Sequence, residues 1–400
     1  MGVAQWVAVF VTFGLNAMDG FDVLAISFAS PGIARDWGLS SGTLGWILSM
    51  ELLGMAIGSI ILGGVGDRIG RRATMLLSLC IMAAGMFGAG HATGVQSLLT
   101  WRLLTGMGIG GMLAVTAAAV AEYSSRRWRS LATALMVIGY PLGGFFGGLL
   151  AQRLLSVGTW HDIFIRGGWI TAAFIPIVAL VVPESPAFYD RQRAPGALEK
   201  INRVLARLGH PPATALTPIG PSEPRASMAD IFKPGLLPTT ILVTAAYFAL
   251  ITSFYFLIKW VPKIVVDMGY QPAAAAGVLK WFTLGGATGG AVFGLLATRY
   301  DLRPMTMIAM IGGAGMIYWF GTGQADITSL TTVVALGGFF TNSAICGMYA
   351  LFAKVFPTPV RDRHGLRHRP GPRRCGACAR AGRLPLPGRF WPDVRLDRHG

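Results

Sequence analysis

The chain has 400 residues, of which 53% are hydrophobic and only 13% charged, with a mean hydropathy of +0.55 and a formal net charge of +16. Soluble globular domains carry roughly 25% charged residues, so this composition excludes a water-soluble enzyme or binding module of this length. Apolar stretches of about 20 residues, enough to cross roughly 30 Å of hydrocarbon, recur along the chain and predict an all-α membrane protein.

Ten such spans are predicted, near residues 5–30, 43–63, 73–91, 98–121, 130–154, 163–182, 238–261, 273–298, 305–321 and 327–353. The first is too long for the apolar core of a signal peptide. It also contains Asp19 and Asp22, so it is expected to remain as a helix. Asp19-Gly20-Phe21-Asp22 lies just past the middle of this span. An ionised acid at mid-membrane is costly unless it is paired, protonated or wetted, and such residues usually serve a function. Three residues apart, the two carboxyls share a helical face and influence each other's protonation. They read as proton carriers, with helix-pairing hydrogen bonds as the structural alternative. Glu51, near the centre of the second span, is either a further coupling group or a carboxylate held at a helix interface.

Between the second and third spans runs Gly63-Gly64-Val65-Gly66-Asp67-Arg68-Ile69-Gly70-Arg71-Arg72. The fourth span carries Arg102, followed by Gly106, Gly110 and Gly111, whose spacing forms a small-residue face suited to helix packing. Gly139-Tyr140-Pro141-Leu142-Gly143-Gly144 in the fifth span is similar, and Pro183-Glu184-Ser185-Pro186 ends the sixth. Lys and Arg gather in the loops 64–72, 122–129, 184–237 and 299–304, which places these loops and the N-terminus in the cytoplasm. The long loop 184–237 divides the chain, and its piece 196–208 is predicted to form an amphipathic surface helix.

The seventh span brings Tyr255, Lys259 and Trp260. Lys259 either binds an anion or snorkels to the interface, and the two aromatics either stack on a ring or pack among helices. The second half repeats the first at a constant offset of 262 − 31 = 231 residues. Pro31, Ile33, Asp36 and Gly38 meet Pro262, Ile264, Asp267 and Gly269. Gly54, Gly58 and Gly63 meet Gly285, Gly289 and Gly294, and Arg68 and Arg72 meet Arg299 and Arg303. Thr298 stands where the first half has Asp67. This is a parallel duplication of two bundles around a central site.

From Arg361 onward the text changes, with eleven Arg, three Asp and no Lys, a balance of 11 − 3 = +8. Plausible codons for 361–386, read one base further on, encode an apolar, glycine-rich segment. The tail 361–400 is therefore expected to be out of frame, with the second bundle cut to about four helices. The expected domains are a first bundle (1–183), the cytoplasmic loop (184–237), a partial second bundle (238–360) and the tail.

The 63–72 segment resembles the signature loop of the major facilitator superfamily, and the Arg102 segment resembles that superfamily's fourth-helix motif. Asp-Gly-x-Asp in the first helix, with Pro31-Gly32-Ile33-Ala34, Trp37-Gly38-Leu39-Ser40 and Ala121-Glu122-Tyr123, resembles the aromatic acid:proton symporters. The resemblance implies two six-helix bundles and an arginine, Arg102, facing the central cavity. In the loop, Gly63 would allow close helix approach, and Asp67, Arg68, Gly70, Arg71 and Arg72 would form a charge cluster that latches the bundles. It further implies a monomeric inner-membrane importer of a small aromatic carboxylate with protons, needing no cofactor and no nucleic acid. An exporter of drug-like molecules shares the fold, and a shortened, inactive copy is a further alternative. A channel lacks support because no ring of like residues repeats. A membrane enzyme lacks it because no nucleophile or metal constellation falls within a span.

Overall fold

A computed structural model describes residues 1–125, 127–193, 195–207, 211–216, 236–323 and 326–355. The basic tail and much of the 184–237 loop lie outside the described residues. Twelve helices and no strand are found among them. These are α1 (Val3–Asp36), α2 (Ser41–Ile69), α3 (Arg71–Gly90), α4 (Val95–Tyr123), α5 (Arg129–Val157) and α6 (Trp160–Val181). Then follow α7 (Pro186–Gln192), α8 (Ala197–Arg207), α9 (Leu237–Asp267), α10 (Pro272–Leu296), α11 (Leu302–Gly321) and α12 (Ile327–Val355).

All ten predicted spans are helical. Eight of these helices, α1–α6, α9 and α12, have the length and hydropathy of membrane crossings; α10 and α11 fall short because Gly, Thr, Trp and Tyr dilute their aliphatic content. The predicted surface helix appears as α8, whose Ala197, Ile201 and Val204 recur at helical spacing and are buried beside α7.

Backbone glycines set the helix crossings. A Cβ on Gly54 would lie 2.2 Å from the Leu103 carbonyl oxygen, one on Gly58 2.1 Å from that of Met107, and one on Gly106 2.1 Å from that of Glu51. Helices α2 and α4 therefore meet backbone to backbone, which only glycine allows. Gly63 is not part of this contact: a Cβ there would sit an ordinary 3.5 Å from Ala114, so the close approach expected at Gly63 occurs deeper in the bundle.

The second half repeats the device. A Cβ on Gly285 or Gly289 of α10 would lie 2.0 or 2.1 Å from the carbonyl oxygen of Ala335 or Phe339, and one on Gly338 of α12 2.0 Å from that of Phe282. The offset is 285 − 54 = 231 for α2 and α10 but 335 − 103 = 232 for α4 and α12. The duplication thus continues past the ungapped stretch with a single-residue shift.

At the end of the molecule away from the α2–α3 turn, one apolar core runs through both halves. It contains Phe28 and Ile33 of α1, Ile47 of α2, Val261 of α9 and Leu279 of α10. Towards the α2–α3 end it divides. One branch lies among α1, α3, α4 and α6, around Met75, Met112 and Val178; the other lies among α9, α11 and α12, around Ala309 and Ile345. The apolar core is shared between the halves at one end and divided at the other.

Candidate functional site

The site lies where α1, α2, α4 and α9 converge. Asp19, Asp22, Glu51 and Arg102 are completely buried, and Lys259 is 3% exposed. The close α2–α4 crossing is what sets Glu51 beside Arg102. Gly106, one turn after Arg102, leaves the space that the Glu51 backbone fills, and the Arg102 guanidinium pairs with Glu51 Oε1. From the other half, Lys259 Nζ donates to Glu51 Oε2 at 2.7 Å and to the Val23 carbonyl at 2.6 Å. Glu51 is thus shared by two cations, one from each half of the chain. Removing one member of a buried ion set strands an uncompensated charge. The three side chains therefore stand or fall together.

Arg102 makes further contacts within the first half. It donates to the Asp22 carbonyl at 3.0 Å and to Met86 Sδ at 3.5 Å, and its guanidinium lies 5.4 Å from the Phe164 ring centroid. The acids of α1 are placed differently. Asp22 Oδ2 accepts from the Thr171 hydroxyl of α6 at 3.4 Å, while Asp22 Oδ1 and both carboxyl oxygens of Asp19 have no hydrogen-bond partner among the described residues. Buried polar atoms are rarely left unpaired in this way. Gly20, between the two acids, lets α5 approach so closely that a Cβ would meet the Tyr140 carbonyl at 2.0 Å.

The structure brings Asp22, Glu51, Arg102 and Lys259 into one cluster and sets aside the snorkelling alternative for Lys259. Tyr255, one turn before Lys259, packs edge-on against Phe254 with centroids 5.4 Å apart, and its phenol faces Glu51 and Tyr140. Trp260 is part of the shared core, with its ring over Gly45 at the start of α2. Sequence reasoning missed Thr171, Met86, Phe164 and the Val23 carbonyl, since none carries a charge or a distinctive spacing. It also missed Lys280 of α10, which donates to Gln152 of α5 at 2.7 Å and forms a second polar link between the halves.

The signature loop forms a charge cluster, but one enclosed in the first half. Asp67 pairs with Arg71 at 2.9 Å and Arg191 at 3.4 Å; Arg71 and Arg191 reach Glu122 at 3.5 and 3.8 Å. Glu184 accepts from the backbone N–H groups of Arg71 at 2.6 Å and Arg72 at 3.2 Å, so it caps the positive N-terminal end of α3. Gly70 makes the turn with φ +104°, and Arg72 donates to the Ala179 carbonyl. Arg68 is exposed. The expected latch between bundles is not formed by these residues: their partners among the described residues lie on α2, α4, α6, α7 and the α6–α7 turn. The loop fastens the first bundle to itself and to the start of the 184–237 segment, and among the described residues the charged link across the halves is Lys259 to Glu51.

The sequence is 28% identical to the 4-hydroxybenzoate transporter PcaK of Acinetobacter baylyi over 89% of this chain and 79% of that protein. It is 29% identical to a gallate transporter of Pseudomonas putida, over 89% and 80%. The 3-(3-hydroxy-phenyl)propionate transporter of Escherichia coli is 28% identical, over 84% and 74%. The fold matches that of a D-xylose-proton symporter with a TM-score of 0.70 at 16% identity, over 90% of this chain and 84% of that one. The xylose transporter XylE from E. coli gives 0.68 at 14%, over 89% and 86%. The profile of the Major Facilitator Superfamily matches residues 7–364, and the chain belongs to that superfamily of membrane transporters.

Proposed function

We propose that the protein imports a small aromatic carboxylate together with protons across the inner membrane. The observation that carries this reading is the buried set of Arg102, Glu51 and Lys259. It holds two cations against one anion and stands beside the carboxyl groups of Asp19 and Asp22, three of whose four oxygens have no hydrogen-bond partner among the described residues. A carboxylate leaving water needs such a cationic centre, and a proton travelling with it needs an acid in the same field. Asp19 and Asp22 serve as the proton carriers, Arg102 and Lys259 hold the substrate carboxylate, and Tyr140 and Tyr255 flank its ring. The relatives named for 4-hydroxybenzoate, gallate and 3-(3-hydroxy-phenyl)propionate share one substrate chemistry, a carboxylate joined directly or through a two-carbon chain to a hydroxylated ring.

The basic loops put the N-terminus and the α2–α3 turn in the cytoplasm. The division of the core towards that end then corresponds to a molecule open inward. Residues 1–183 and 238–360 act as the two moving bodies, 184–237 connects them, and 361–400 form a basic tail. The site is assembled from a single chain, so a monomer suffices.

Purified protein in liposomes, given radiolabelled 4-hydroxybenzoate with acid outside, is expected to accumulate it and to release it on addition of a protonophore. Uptake indifferent to the pH gradient would defeat the coupling. Movement only against an inward proton flow would make the protein an exporter. Lys259→Met should raise the half-saturating concentration more than it lowers the yield of folded protein.

A further inference from the structure

Glu51 is a third buried acid, and its position differs from that of the α1 pair. It lies on the place an incoming carboxylate must take, between the Arg102 guanidinium and Lys259 Nζ. Accepting the proposed function, we infer that Glu51 is a resident stand-in for the substrate carboxylate. Substrate displaces it from the two cations, and the displaced group takes up the proton whose binding is linked to substrate.

Charge accounting leads to this result. In the empty centre Arg102 and Lys259 contribute two positive charges and Glu51 one negative, a balance of +1. A substrate carboxylate that pairs with both cations leaves Glu51 in a closed interior with neither partner. A carboxylate so stranded is strongly disfavoured. One proton from water, added to a Glu51 carboxyl oxygen, restores the balance of +1: two cations, one substrate anion and a neutral acid. No bond other than that O–H forms. The remaining ionisable side chains facing Glu51 are Asp22 on α1, Tyr140 on α5 and Tyr255 on α9. Among the described residues, Glu51 is the side chain paired with both cations. Geometry supports competition rather than mere proximity, because Glu51 has one carboxyl oxygen on each cation and the Gly54 and Gly106 crossing fixes its backbone.

This arrangement also explains how an empty carrier can return. With Glu51 in place the cations are satisfied, and the halves remain linked through Lys259. Substrate replaces the link instead of adding to it, so binding and proton uptake become one event.

Binding of 4-hydroxybenzoate, gallate and 3-(3-hydroxyphenyl)propionate to the detergent-purified chain, followed together with proton uptake in weakly buffered solution, tests the inference. In the wild type each bound carboxylate should be accompanied by net proton uptake. Glu51→Gln, which keeps the size but cannot compete as an anion, should bind about tenfold more tightly, the loss of one competing contact of about 1.4 kcal/mol. It should take up one proton fewer for each carboxylate bound than the wild type does. Glu51→Asp, too short to reach both cations, should fall between the two and guards against a misfolded Gln variant. Weaker binding by both variants, or undiminished proton uptake in Glu51→Gln, overturns the stand-in role and leaves the proposed transport intact. Failure of the wild type to bind any of the three acids overturns both.

Discussion

The two halves of this protein share one scaffold and differ in what it carries. Gly54, Gly58 and Gly106 in the first half have their counterparts in Gly285, Gly289 and Gly338, each facing a carbonyl at nearly the same distance. At the same register the chemistry has diverged. Glu51 corresponds to Phe282 (51 + 231 = 282), Arg102 to Val334 (102 + 232 = 334), Asp19 to Leu250 (19 + 231 = 250) and Asp22 to Ser253 (22 + 231 = 253). Even Gly110, tight against the Met55 carbonyl, is matched by Asn342, which donates to the Gly286 carbonyl. The lesson is that the glycine crossing serves the fold, whereas the ionised crossing is the part to which the proposed function assigns transport. The second half keeps an apolar pair at the equivalent place, and its charged contribution to the site, among the described residues, is Lys259.

The surroundings differ too. In the first half α6 packs on α1 and α3, and its Thr171 reaches Asp22. The corresponding position in the second half, between α9 and α11, is a groove of about 400 Å³ that includes Leu250 and Ser253. The acids of α1 are thus enclosed by a neighbour that their counterparts on α9 do not meet among the described residues.

Exchanging the side chains at matched positions gives the most severe test of this division. Asp22→Asn should reduce proton-driven accumulation to simple equilibration, while Ser253→Ala should leave it near the wild-type level; equal losses in the two variants would erase the distinction. Next in size is Arg102→Leu, which makes the first-half crossing resemble the second. It should cost about 3–5 kcal/mol of stability by breaking a buried ion set, read as a fall in the folded fraction after detergent extraction. Gly106→Ala and Gly338→Ala probe what the halves share. Each should cost about 1–3 kcal/mol from overpacking and lower the thermal midpoint alike, and a harmless Gly338→Ala would show that the second crossing is not equivalent. The smallest effect concerns the turns. Gly70 has φ +104°, but its counterpart Asp301 has φ −67°. Gly70→Ala should therefore lose about 1–2 kcal/mol from the left-handed backbone, with Asp301→Ala close to neutral in the same melting assay.

Much of this was legible in the sequence, for reasons that can be stated. Long apolar runs yielded the ten helices, since in hydrocarbon a spanning segment has to satisfy its backbone internally. Asp19, Asp22, Glu51, Arg102 and Lys259 stood out because charge at mid-membrane is rare. Their pairing was not legible. Glu51 and Lys259 are 208 residues apart, and no spacing rule connects them. The role given to Gly63 followed from a motif, whereas the tight contacts are made by Gly54 and Gly58, which local sequence does not distinguish from it. The charge cluster at Asp67 was foreseen, but its partners Glu122, Glu184 and Arg191 are brought together only by folding. Glu122 comes from the first bundle, but Glu184 and Arg191 come from the start of the connecting segment, so the loop ties that segment to the first bundle.

The single net positive charge of the Arg102, Glu51 and Lys259 cluster has an electrical consequence. A centre whose access alternates between two faces of a polarised membrane does work against the voltage, up to about 2.3 kcal/mol per elementary charge for every 100 mV. A positive centre is drawn to the negative face. If the basic loops lie on that face, as proposed, an energised membrane favours the empty molecule with its centre turned towards the α2–α3 end, where the apolar core divides. Voltage would thus act on the waiting carrier even where the cargo moves with no net charge.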